Sequence, residues 1–295
     1  MSSRTPGIIG LVIATAIWGS TFLVTKDTLD TLSVANFLLW RFGIAAVVLL
    51  AAAPGRWLRL SGEEWRKGLL LGLFLGSGFL AQTQGLLHTS AAVSGFVTGL
   101  MVVLTPLVAA LLYHEQVHAR GWTAVIVATF GLALISLRGW NMSPGVGLTI
   151  LGAALFALQI ASLSQWATKA NSYGLTTISV AVTAVMCLLA ALLTGGVTVP
   201  SSRPDWTAIL YLALGATCFG LVLQAWSQSH LSATTAAVIM TLEPAWAGAI
   251  AVVIGGEVLT LRMWIGAALI LAAMFIAEFG PRGKRDAEVP WVEPV

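Results

Sequence analysis

The chain echoes itself at an offset of 142 residues. Glu115-x4-Arg120-x-Trp122 returns as Glu257-x4-Arg262-x-Trp264. Gln82 returns as Gln224, His88 as His230, and Ser90-Ala91 as Ser232-Ala233. These residue types are uncommon in so apolar a chain, so one shared register marks a duplication. Two similar units then have to fold side by side, and what holds for one half constrains the other.

What those units can be follows from how little charge they carry. Only 9% of residues are charged, 58% are hydrophobic, and the mean hydropathy is +0.90. A soluble domain carries roughly 25% charge. The class is therefore polytopic membrane protein. Trp anchors helices at interfaces and Gly lets them approach closely, so an abundance of both fits. A sequence pI near 9.1 would suit nucleic acid, but the basic residues sit in short loops, where they act as orientation signals. Nucleic acid is excluded as a partner. Cys187 and Cys218 both fall inside apolar runs, without disulfide or metal-ligand spacing. Ala14-Thr15-Ala16 imitates a leader-cleavage site, but the apolar run continues to Val24 and is long enough to span.

Apolar windows of about 20 residues predict ten spans, at 7–25, 34–53, 67–87, 92–112, 119–137, 148–168, 175–194, 206–229, 233–254 and 260–279. The expected organisation is a first five-helix repeat over 1–143, a second over 144–280 and a polar tail over 281–295. With the N-terminus cytoplasmic, ten Lys and Arg fall inside and four outside, which places both termini in the cytoplasm. Five spans per half is an odd number, so the second half enters the membrane upside down. The expected fold is all-α, two inverted five-helix repeats around a central cavity.

Pro106 stands 9 residues before Glu115, and Pro244 stands 13 before Glu257. The prolines slip by about one helical turn, which nominates spans four and nine as kinked, cavity-lining helices. Gly68-x3-Gly72-x3-Gly76 and Gly95-x3-Gly99 predict close helix contacts. Glu243 lies mid-span, where a charge costs on the order of 2.5–3.5 kcal/mol, so it must face the interior. There it is a substrate contact, a coupling site or a structural carboxylate. Arg41, seven residues into span two, either snorkels outward, pairs with Asp27 or Asp30, or meets a substrate carboxylate. Trp18 and Trp246 lie too deep for the interface and suit an aromatic cavity wall. Gln82, Thr98, Met101 and Gln159 complete the expected substrate contacts, and Pro106, Pro244, Gln224 and Glu243 are the expected coupling or gating residues. Walker A, H-E-x-x-H and G-x-S-x-G motifs are missing. Arg41 is the single deep basic residue, which argues against highly anionic substrates.

Trp18-Gly19-Ser20, Trp40-Arg41-Phe42, Leu242-Glu243-Pro244 and Gly256-Glu257-x4-Arg262 through Gly266 resemble the EamA branch of the drug/metabolite transporter superfamily. Within that branch the chain is similar to bacterial aromatic amino acid exporters. The resemblance implies a ten-helix carrier with a central cavity and alternating access. The expected function is secondary export of small amino acids or related metabolites across a bacterial inner membrane, without enzyme activity, cofactor or metal. A lipophilic drug or nucleobase-type exporter is the alternative, and a lipid scramblase a more distant one. The expected partners are a small solute and the bilayer, with the protein a monomer or homodimer.

Overall fold

The computed structural model describes residues 4–114, 119–138, 141–168, 170–228 and 239–279. Expectations placed on Glu115, His230, Ser232, Ala233 and the tail lie outside these residues. The described chain is helical apart from a two-residue ladder pairing Leu137–Arg138 with Asn141–Met142. Its helices are α1 (Arg4–Thr28), α2 (Val34–Ala52), α3 (Pro54–Trp57), α4 (Gly62–Leu86), α5 (Ala91–Thr98), α6 (Leu100–Tyr113), α7 (Ala119–Ser136), α8 (Pro144–Trp166) and α9 (Ser172–Leu193). One continuous run follows, made of α10 (Arg203–Leu210), a π-helical stretch (Tyr211–Phe219) and α11 (Gly220–Gln228). The last two are α12 (Leu242–Val253) and α13 (Leu261–Phe279).

Among the described residues, seven helical segments are long and apolar enough to cross a membrane, and three shorter apolar helices occupy Trp122–Ile135, Leu242–Val253 and Leu261–Ile276. Large apolar side chains such as Val47, Leu73, Leu111, Phe130, Leu193 and Phe275 point outward. A bundle that is apolar on its outside as well as its inside needs lipid as its solvent. This is an integral membrane protein.

Glycines decide where helices meet. Gly68, Gly72 and Gly76 lie against Ile178, Val182 and Met186 of α9. A Cβ on Gly72 would sit 2.5 Å from Val182. Gly95 and Gly99 face Ala247 and Pro244 of α12 in the same way. Gly131 of α7 and Gly266 of α13 meet each other's backbone.

The contact pattern survives exchange of the two halves. α4 packs on α8 and α9, as the 203–228 run packs on α1 and α2. α1 packs on α12, as α8 packs on α6. The pairs α2–α9 and α7–α13 map onto themselves. Two cross-half hydrogen bonds follow the same rule. Ser61 caps α4 and Glu64, three residues on, accepts from Asn171 at 2.8 Å. Ser202 caps α10 and Asp205, three residues on, accepts from Thr31 at 2.7 Å. These two bonds lie at opposite ends of α2, because α9 begins beside that helix's end, where Tyr173 donates to the Leu49 carbonyl at 2.8 Å.

Candidate functional site

Six pairs of residues related by the 142-residue offset surround one cavity. They are Trp18 with Ile160, Leu75 with Thr217, Phe79 with Leu221, Gln82 with Gln224, Thr98 with Met240, and Met101 with Glu243. The remaining walls are Thr21, Phe22, Arg41, Phe42, Phe156, Gln159 and Ala216. The cavity has a volume of about 110 Å³ and is partly open to the outside.

Two spans are locally irregular beside the cavity. Gly99 is a turn between α5 and α6, and Thr241, its equivalent in the repeat, is a turn before α12. Thr98 and Met101 flank the first break, as Met240 and Glu243 flank the second. Each break is tied to a neighbouring helix by the same bond. The Gln82 amide donates to the Thr98 hydroxyl at 2.9 Å, and the Gln224 amide to Met240 Sδ at 3.8 Å.

Spans four and nine do line the cavity, and their irregular residues do not coincide with the prolines. Pro106 lies inside α6, which continues through it. Pro244 stands in the first turn of α12, where a missing N–H removes no intrahelical bond. The interruptions keep the register of the duplication, and the prolines do not.

The two charged groups on the cavity wall are both buried. Glu243 is 9% exposed and Arg41 5%. No ion pair joins them, and Glu243 has no hydrogen bond among the described residues. Arg41 does not snorkel and does not pair with Asp27 or Asp30; its Nε donates to the Thr217 hydroxyl at 3.1 Å. In the repeat both charges fall opposite neutral residues, Thr183 for Arg41 and Met101 for Glu243. The cavity is thus symmetric in frame and asymmetric in charge.

The π-helical stretch shapes one wall. Its wider turn is closed by the Thr217 hydroxyl donating to the Leu212 carbonyl, five residues back, at 2.9 Å, and such stretches concentrate at functional positions. The Ala216 carbonyl accepts the Trp18 indole N–H at 2.9 Å. Gly220 makes that approach possible, since a Cβ there would meet the indole nitrogen at 2.7 Å. Its repeat partner Gly78 accommodates the Phe156 ring, with a Cβ-to-ring distance of 2.7 Å. Phe42, Phe79 and Phe156 form a continuous aromatic run, with centroids 4.8 and 5.0 Å apart.

Trp18, Gln82, Thr98, Met101, Gln159, Gln224 and Glu243 therefore stand together on the cavity. Trp246, Pro106 and Pro244 are not on its wall. Trp246 packs its Cβ against Gly19 of α1, and Pro244 packs against Gly99. The aromatic run of Phe42, Phe79 and Phe156 was missed, and of the alternatives open to Arg41 the structure places it on the cavity wall. Among the described residues no cluster of His, Cys, Asp and Glu could hold a metal ion.

An apolar helical bundle around a buried, partly charged cavity is the architecture of a membrane transporter. The profile of the EamA-like transporter family matches the chain twice, at residues 5–137 and 143–279. The protein belongs to that family and is a membrane transporter. It is 32% identical over 272 residues to an uncharacterized transporter of Archaeoglobus fulgidus, covering 91% of this chain and 84% of that one. It is 24% identical over 292 residues to the uncharacterized transporter YwfM of Bacillus subtilis, covering 94% and 95% of the two chains. One protein crystal structure is similar in fold, with TM-score 0.64 at 21% identity over 93% of this chain and 97% of that one.

Proposed function

We propose that this protein is a secondary transporter exporting small amino acids or related metabolites, aromatic ones among them, by alternating access. Ten spans, arranged as two inverted five-helix repeats, would form the carrier. Both termini would lie on the cytoplasmic side of the inner membrane. The observation that carries this reading is the cavity built from six repeat-related pairs. A site on the axis relating two similar halves reaches either face by exchanging their conformations, without moving itself. The antiparallel course of α2 and α9 and the Lys and Arg distribution favour inversion. Aromatic walls with Gln82, Gln159 and Gln224 suit a solute that is apolar in one part and polar in another. Glu243, with no partner among the described residues, suits a solute amine.

Counterflow in proteoliposomes tests this. Vesicles preloaded with an unlabelled amino acid should accumulate the labelled one, and Glu243→Gln should slow that flux by at least about tenfold, the scale of a lost charge-assisted hydrogen bond. Absence of counterflow across a broad amino acid panel would sink the amino acid assignment. Unchanged flux in Glu243→Gln would remove Glu243 from the mechanism.

A further inference from the structure

Arg41 is a buried cation with no opposite charge beside it among the described residues. Its Nε is used on Thr217. Thr217 has already committed its own proton to the Leu212 carbonyl, so it offers the guanidinium a lone pair and fixes its direction. The rings of Phe42 and Phe79 flank the guanidinium carbon at 5.2 and 4.9 Å. Among the described residues no carboxylate pairs with it, and its terminal nitrogens make no hydrogen bond. Yet it stands on the cavity wall. The equivalent place in the other half is filled by Thr183, whose hydroxyl is satisfied by the Gly72 and Ser179 carbonyls inside a closed helix contact. The fold therefore has a neutral solution at this position and does not need an arginine for packing.

We propose that Arg41 is the carboxylate anchor of the transport cavity. Its free N–H fork would receive the carboxylate of a solute whose apolar part lies along Phe79 and Phe156. A guanidinium stays charged wherever it is placed, so burial cannot neutralise it. Its planar fork matches a carboxylate, and the flanking rings hold that plane while excluding water. Glu243, the other charge without a counterpart in the repeat, is left for the solute's amine, so a zwitterion neutralises both groups at once. This assignment rests on the cavity being the transport site. It narrows the substrates to solutes with a free carboxylate.

Ligand binding to the purified wild-type protein, read by thermal shift, tests it with phenylalanine, phenylalanine amide, 3-phenylpropionate and sodium chloride. Phenylalanine should bind at least about tenfold tighter than its amide. Arg41→Gln should erase that preference while changing amide affinity by no more than about twofold, and Arg41→Lys should keep part of it. Equal binding of acid and amide to the wild type would overturn the anchor, and this comparison needs no variant to fold. A preference that survives in Arg41→Gln would overturn it too, as would chloride matching the carboxylates. Binding of 3-phenylpropionate without phenylalanine would keep the anchor and sink the amino acid reading. Binding of neither phenylalanine nor 3-phenylpropionate would sink the anchor itself.

Discussion

Gln82 donates its side-chain amide to the Thr98 hydroxyl at 2.9 Å, tying α4 to the residue just before the break at Gly99. The repeat makes the same bond from Gln224 to Met240, but to a sulfur at 3.8 Å. A thioether is a weak acceptor. Gln82→Leu should therefore cost roughly 0.5–1.5 kcal/mol and Gln224→Leu less. Thermal unfolding in detergent gives the order, and the reverse order would mean that these bonds do not hold the breaks.

Gly220 leaves a Cβ only 2.7 Å from the Trp18 indole nitrogen. Gly220→Ala should destabilise the protein by about 1–3 kcal/mol, because neither the backbone nor the packed indole has room to yield. Trp18→Phe removes the clashing atom, so the double variant should lose less than the sum of the two single variants. Strict additivity in melting temperatures would contradict the contact.

Glu257 reaches from the loop after α12 to the start of α5. Its carboxylate accepts from the Ala91 and Ala92 N–H groups at 2.7 and 3.1 Å. An N-terminal cap of this kind is worth roughly 0.5–2 kcal/mol. Glu257→Ala should lose about that much, and Glu257→Gln, which keeps one acceptor but not the charge, should lose less. The loss should appear as faster amide exchange in residues 91–94 before it appears elsewhere.

Inverted halves require that the loops preceding α4 and α10 face opposite sides. Arg59 and Ser201 are both exposed, whereas the native Cys187 and Cys218 are buried. In intact cells an impermeant maleimide should label Ser201→Cys at once and Arg59→Cys only after permeabilisation. Labelling of both from the same side would refute the inversion.

The duplication was readable because its polar residues are rare enough to carry a register. Deep polar residues were readable because a glutamine or glutamate inside an apolar span has to face the interior, and seven nominated residues do share the cavity. Phe79 and Phe156 were not readable, since an aromatic residue in an apolar span looks the same whether it meets lipid or a cavity. The π-helical stretch over Tyr211–Phe219 has the composition of any other span. The turns at Gly99 and Thr241 were not readable, since neither residue is a proline. The Glu64–Asn171 and Asp205–Thr31 bonds cross between halves, beyond the reach of any local pattern.

Alternating access is the central claim, and one engineered cysteine tests it most directly. Met101→Cys places a thiol on the cavity wall beside the first break. A small impermeant thiol reagent should modify it from either side of an oriented membrane, and adding a transported amino acid should raise reactivity on one side while lowering it on the other. Reactivity confined to one side under every condition, untouched by any solute, would contradict the account.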